Sequence, residues 1–260
     1  MSCQIIHLLQ FLLSSSGYGG TLRRMKFLAL LIQSILLVAI WCSPAAAIGP
    51  ERLVYDVSWS GLNAGTAVLE VAAQGDDFRI LNTIASNSFV SVFFRIDDKT
   101  ESTVSRSVKP KSFKEKISEG KFRAHREATF NFTTHQAESK DLLTNTVKRD
   151  AITARTYDNL SSIYFLRSLQ LAPGQSISFE IYDTKHLWKA EAKVGHREEI
   201  TTSLGKFKTI MVTSQLTRDG IPAKVGNPTF WFTDDNQHIP VRIKTQLKVG
   251  EITLTLAKEK

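Results

Sequence analysis

The sequence predicts an all-β fold with minor α content: an antiparallel, strongly curved sheet, a half-barrel or flattened sandwich, with one buried helix near residues 159–171. Three observations predict it. Beyond residue 50, apolar and polar residues alternate with a period of two, the pattern of half-buried strands. Glycines recur at hairpin spacing, at Gly61, Gly75, Gly120, Gly174, Gly195, Gly205, Gly220 and Gly250, which suits antiparallel connections and not βαβ crossovers. One stretch alone carries a wide apolar stripe at helical spacing.

The elements follow in chain order. Residues 25–47 read as a Sec-type signal peptide: Arg23, Arg24 and Lys26 precede an apolar run over 27–41, and Ala45 and Ala47 place cleavage after Ala47. The run is about 15 residues, short of the roughly 20 a membrane-spanning helix needs. Trp41 before Cys42 is wrong for a lipoprotein signal, and Arg23-Arg24 is misplaced for a twin-arginine one. Met25 is the expected true start. Residues 48–260 are then one β-rich domain of two halves, about 50–150 and 172–260, joined by the helix. After cleavage no stable membrane span is expected.

Tyr55, Val57 and Trp59 share one face of a first strand; 66–72 is a second, and Gly75-Asp76-Asp77 turns it into a third with Phe78, Ile80, Asn82 and Ile84. The segment 88–94 reads as a short helix, an irregular lid or a strand. Rows follow at Phe113 and Ile117, and at Phe122, Ala124, Ala128, Phe130 and Phe132. Asp158 is a good N-cap for a helix over 159–171, ended by Ala172-Pro173-Gly174. Its stripe (Leu160, Ile163, Tyr164, Phe165, Leu166, Leu169, Leu171) covers most of the circumference, so the helix is expected to be buried against the sheet. Further rows occur at Ile177, Phe179 and Ile181; at Trp188, Ala190, Ala192 and Val194; at 207–212; at Phe230 and Phe232; at Val241 and Ile243; and at Ile252, Leu254 and Leu256.

Composition excludes several functions. The 260 residues hold 33 Lys and Arg against 25 Asp and Glu, a net charge of +8, and only two cysteines, Cys3 and Cys42. Both precede Ala47, so the mature chain has no thiol for nucleophilic, metal-binding or disulfide chemistry. Signal removal also takes away three of the positive charges. What remains is mild, so nucleic acid is not an expected partner, whereas anionic lipid or polysaccharide is. No cofactor or catalytic motif is recognisable. The histidines of the mature chain are spaced singly, and no metal site is expected. Asp97-Asp98, Glu198-Glu199 and Asp234-Asp235 are adjacent pairs, whose side chains point to opposite faces of a strand and form no acid–base dyad alone.

The phrases Asp158-Asn159-Leu160-Ser161-Ser162-Ile163-Tyr164-Phe165-Leu166-Arg167, Leu171-Ala172-Pro173-Gly174, Gly205-Lys206-Phe207, Phe230-Trp231-Phe232-Thr233-Asp234-Asp235, Ile239-Pro240-Val241 and Gly250-Glu251-Ile252, with Tyr55-Asp56-Val57-Ser58-Trp59 near the start, form a recognisable set. Over residues 52–256 the chain resembles the exported bacterial family known as domain of unknown function 3108. The resemblance implies an exported envelope protein of β-rich fold and brings no activity and no catalytic residues.

Arg126 is the most informative single residue, since it shares a register with Phe122, Ala124, Ala128, Phe130 and Phe132. It pairs with a buried carboxylate, returns to solvent at a bulge, or meets a ligand head group; Arg167 is its expected neighbour. Trp231 points away from Phe230 and Phe232. The candidate ligand-binding set is therefore Arg126, Phe130, Phe132, Phe165, Arg167 and Trp231, with no catalytic residue. Phe89, Phe93 and Phe94 belong to the same aromatic surplus of 15 phenylalanines. The expected function is an exported, periplasmic, non-enzymatic envelope protein holding a lipid or other apolar ligand in a curved-sheet groove. Alternatives are a scaffold binding an envelope protein or polysaccharide, and a cell-wall or lipid hydrolase.

Overall fold

The computed structural model describes residues 48–224, 226–247 and 250–259; the expected signal segment and the start at Met25 lie outside them. A meander of eight strands opens the described residues: β1 (Glu51–Trp59), β2 (Leu62–Gln74), β3 (Asp77–Ser86), β4 (Asp97–Val104), β5 (Pro110–Glu119), β6 (Phe122–Asn131), β7 (Gln136–Asp141) and β8 (Thr146–Ala151). The second half comprises β9 (Thr156–Tyr157), β10 (Ser176–Tyr182), β11 (Leu187–Thr202), β12 (Gly205–Arg218), β13 (Ile221–Pro222), β14 (Thr229–Thr233), β15 (Pro240–Leu247) and β16 (Gly250–Ala257). Two helices interrupt the strands, α1 (Ser88–Ser91) and α2 (Ser161–Arg167).

All sixteen strands belong to one sheet, ordered β8-β7-β6-β5-β4-β3-β2-β1-β16-β15-β14-β12-β11-β10-β9, with β13 beside β12. The described pairings are antiparallel except β9 with β10. The two halves are thus one sheet, joined at its centre by β1 and β16 in the register Tyr55↔Leu256 and Val57↔Leu254. The backbone ladder does not close into a barrel, since β8 and β9 remain edges. Side chains approach across the gap instead: the Tyr182 hydroxyl donates to Asp150 Oδ2 at 2.7 Å, and Lys148 Nζ donates to the Lys185 carbonyl at 2.8 Å. Bulges at Val57/Ser58, Thr103/Val104, Val194/Arg197 and Trp231/Phe232 supply local bending.

Alternation decides the inner face. Tyr55, Ala67, Leu69, Val71, Ile80, Phe113, Ala128 and Phe130 are buried in a core that also takes Tyr164, Tyr182 and Val241. A second cluster gathers Leu166, Ile177, Phe179, Ile210, Val212, Phe230 and Phe232. Helix α2 lies between them, giving Tyr164 to the first and Leu166 to the second, which is why its apolar stripe is so wide.

Three expectations need correction. The helix is Ser161–Arg167, shorter than 159–171 at both ends. Asp158 still caps it, but as an Asx turn two residues outside the N-cap position, Leu160: Oδ1 accepts from the amides of Leu160 and Ser161 at 2.8 Å. Ser168 ends the helix, its hydroxyl donating to the Phe165 carbonyl at 2.7 Å, and the residues before Pro173 leave the α region. Segment 88–94 is one helical turn followed by a turn, so the strand alternative does not hold. Strands β4, β7 and β8 are absent from the sequence reading, because their inner positions are largely polar: Asp98, Thr100 and Ser102; Ser139 and Asp141; Asp150.

Candidate functional site

The antiparallel order gives the sheet two rims. The front rim holds the connections at 60–61, 87–96, 120–121, 142–145, 183–186 and 219–220 and the facing ends of β15 and β16; the back rim holds those at 75–76, 105–109, 132–135, 203–204 and 234–239. Side chains divide unequally between them. Trp59, Leu62, Phe89, Val92, Phe93, Phe94, Phe122, Leu143, Val147, Ile221 and Leu247 are exposed and lie at or beside the front rim; among the described large apolar residues that are exposed, Leu204 alone lies at the back. Back-rim turns carry Asp76, Ser105, Arg106, Thr133, Thr134, Asp234 and Asp235, the polar chemistry that turns normally have. The signal in the sequence was apolar residues in turn positions, as in Gly61-Leu62-Asn63, Gly120-Lys121-Phe122 and Leu142-Leu143-Thr144-Asn145. The sequence expectation that Phe122 faces inward with Ala124 is corrected too: as the first residue of β6 it projects from the rim.

Arg126 does face inward, and its charge is answered there. Nη1 donates to Glu115 Oε1 at 2.7 Å and Nε to Asp141 Oδ2 at 3.1 Å, and Thr184 donates to the same Glu115 oxygen at 2.9 Å. Arg126 and Glu115 side chains are each nearly buried, so the pair exchanges water for direct charge-assisted bonds.

Arg167 lies at the other end of the sheet and is not a neighbour of Arg126. It pairs with Glu51 in β1, with Nη2 to Oε2 at 3.0 Å, and Nε donates to the Gln237 carbonyl at 3.2 Å. Tyr164 donates to Glu51 Oε1 at 2.7 Å. Burial opposes the Arg167 charge, but the Glu51 carboxylate outweighs it and raises its pKa. Burial, reinforced by Glu51, holds the Tyr164 hydroxyl well above its ordinary value. This cluster clamps α2 to β1 and to the β14–β15 loop.

The aromatic candidates separate as well. Phe130 and Phe132 stack at 6.5 Å and line a back-rim groove of about 550 Å³ with Lys109 and Lys111. Lys109 Nζ lies 5.6 Å from the Phe132 ring centre and 4.1 Å from that of Tyr157, and donates to the Tyr157 hydroxyl at 2.8 Å. Partial burial and nearby Arg155 lower its pKa. Phe165 stacks on Tyr157 at 4.4 Å and meets Phe179 at 5.4 Å within the second core. Trp231 is half-buried on the opposite face from Phe230 and Phe232, its indole N–H on Glu198 Oε1 at 2.7 Å. Phe130 and Phe132 are therefore brought together, while Arg126, Phe165, Arg167 and Trp231 occupy separate surroundings.

One acidic pair was missed. Asp98, buried at the start of β4, accepts from the Ser118 amide at 2.8 Å and is hydrogen-bonded to Glu119. Burial raises both carboxyls above their ordinary values. Direct contact leaves no space between them for a glycosidic oxygen or a water, the separation that two-carboxylate hydrolysis requires. Among the described residues no cluster of three or more His, Cys, Asp or Glu is placed to hold a metal, and no helix is long and apolar enough to cross a membrane.

The pattern of a protein family of unknown function, DUF3108, matches residues 54–257. The chain belongs to that family. No curated protein matches this DUF3108 chain. Among solved structures it is similar to a β-barrel-like protein of the unknown-function domain DUF1849 from Brucella abortus, with a TM-score of 0.58 and 14% identity over 80% of this chain and 96% of that one. At that identity the likeness shows the fold. A protein with a YmcC-like fold from Bacteroides fragilis aligns over 79% of this chain and 92% of its own, with a TM-score of 0.33 and 6% identity.

Proposed function

We propose that this DUF3108 protein is an exported, non-enzymatic protein of the cell envelope that binds a lipid or other apolar ligand through its curved sheet. The observation that carries the reading is the segregation of exposed apolar side chains to the front rim. Soluble proteins scatter such residues singly, and a gathered set marks an interaction site. The apolar run over 27–41, preceded by Arg23, Arg24 and Lys26, supports export. The Phe130–Phe132 groove, with Lys109 and Lys111 at its wall, offers a second surface suited to an acyl chain with an anionic head.

Native mass spectrometry with organic extraction of the protein purified from its cells tests the reading. A lipid-sized adduct at stoichiometric occupancy is expected. Phe132→Asp, at a half-buried groove position, is expected to diminish the adduct if the ligand lies in the back-rim groove and to leave it intact if the front rim holds it. A bare protein mass under gentle ionisation, with a co-purifying envelope protein or glycan in its place, would replace this reading with the scaffold alternative.

A further inference from the structure

We propose that the front rim docks this protein onto an anionic bilayer, with Phe89, Val92 and Phe93 entering the acyl region and Arg95, Lys121 and Arg123 meeting lipid phosphates. The inference rests on the front rim as the apolar site and names its partner.

Exposure here is built and held. Phe89, Val92 and Phe93 are 68%, 77% and 79% exposed. Yet their backbone is fixed: Asn87 Oδ1 caps α1 by accepting from the Val90 amide at 2.9 Å, Asn87 Nδ2 donates to the Asn63 carbonyl at 2.9 Å, and Ser86 Oγ accepts from the Ile96 amide at 2.9 Å. Phe94 lies over Gly120, where an added Cβ would come within 2.6 Å of the ring, and the Gly120 amide donates to the Arg95 carbonyl at 2.8 Å. The 87–96 loop is thus tied to the β1–β2 turn on one side and the β5–β6 turn on the other. In sheet order the exposed apolar tips run Leu143, Phe122, the 89–94 loop, Leu62 and Leu247, each on a neighbouring connection or strand end.

Charge selects the occupant. Arg95, Lys121 and Arg123 are exposed around the same loops. Arg123 Nη1 donates to the Gly120 and Phe122 carbonyls at 2.8 and 2.7 Å, which holds the guanidinium at the turn. Among the described residues, neither Lys121 nor Arg123 has a carboxylate within 4.0 Å. Asp97 stands 3.9 Å from Arg95, and Glu119 behind the turn is turned onto Asp98, to which it is hydrogen-bonded. Apolar tips backed by Lys121 and Arg123, which face no carboxylate, and by the exposed Arg95 match an interface of acyl chains beneath phosphates. A protein partner burying a similar patch would meet a more even polar rim.

Co-sedimentation of the protein purified from its cells with phosphatidylglycerol–phosphatidylcholine vesicles tests the proposal. Binding is expected at low salt, weaker at high salt and weaker on phosphatidylcholine alone. The exposed double change Phe89→Ser/Phe93→Ser is expected to weaken binding roughly tenfold or more; Lys121→Glu/Arg123→Glu is expected to weaken it on anionic vesicles while sparing phosphatidylcholine. The indole introduced by Phe93→Trp should be quenched by brominated acyl chains, a readout that holds if the double variant fails to fold. Absence of binding, both variants binding as the parent does, no quenching in the Phe93→Trp variant, or rim-dependent dimers without vesicle binding would each overturn it. A missing lipid adduct in mass spectrometry with vesicle binding intact would defeat the bound-ligand reading alone.

Discussion

Asp98 and Glu119 show how a single proton enters the stability of this fold. Burial raises both carboxyls above their ordinary values of 3.8 and 4.5, each helped or opposed by the other. A carboxyl whose folded pKa is raised contributes stability that is fully present below its unfolded pKa and is lost as pH rises through the folded value. Asp98→Asn keeps an oxygen for the Ser118 amide and supplies an N–H to Glu119 without a second negative charge. Below about pH 4 the parent and Asp98→Asn are therefore expected to be similarly stable. From there toward neutrality Asp98→Asn should become progressively the more stable. Urea midpoints taken across that range measure it; parallel pH profiles would show that the pair does not share a proton in the folded state. Arg126 belongs to the same scale. Its register was plain in the sequence, but its partners were not, since Glu115 and Asp141 reach it from two other strands and Thr184 holds Glu115 from a third segment.

Elements read from the sequence as far as their inner faces are apolar. β1, β2, β3, β6, β10 and much of β11 and β12 keep a period-two apolar row, so they were legible. β4 and β7 hide because polar inner residues are satisfied by distant ones: Ser102 donates to Asp158 Oδ2 at 2.6 Å, 56 residues away, and the Ser139 hydroxyl donates to the Tyr182 oxygen at 3.0 Å, 43 residues away. Local pattern carries no trace of such partners. The front rim was half legible for a related reason: Phe89, Phe93 and Phe94 stood out as aromatics, but only strand order reveals that Leu62, Phe122 and Leu143 share their end. The α2 cap binds element to sheet in one side chain. Asp158→Ala removes the acceptor for two amides and leaves the fully buried Ser102 hydroxyl without it. The expected loss is about 2 kcal/mol or more, read from urea unfolding, with a smaller loss for Asp158→Asn, which keeps Oδ1. Equal losses for the two would place the effect outside the cap.

At the scale of the described sheet, the chain's first and last strands meet at its centre, so neither half owns a complete core. β1 lies between β2 from its own half and β16 from the other. Tyr55 in β1 donates to the Pro240 carbonyl at 2.9 Å, 185 residues away, and its hydroxyl is buried deeply enough to be held well above its ordinary pKa. Helix α2 reinforces the seam by giving Tyr164 to one cluster and Leu166 to the other. Separating the halves would strip a strand edge from each and expose both sides of α2, a cost borne all at once. The two halves should therefore unfold in one cooperative transition. Trp59 reports on the β1–β2 end and Trp188 on β11, so chains keeping one or the other as a single tryptophan follow the halves separately. Coincident midpoints and slopes in urea are expected. Two resolved transitions would show that β1–β8 and β9–β16 are independent folding units, and that the β1–β16 ladder and α2 join parts that are each stable alone.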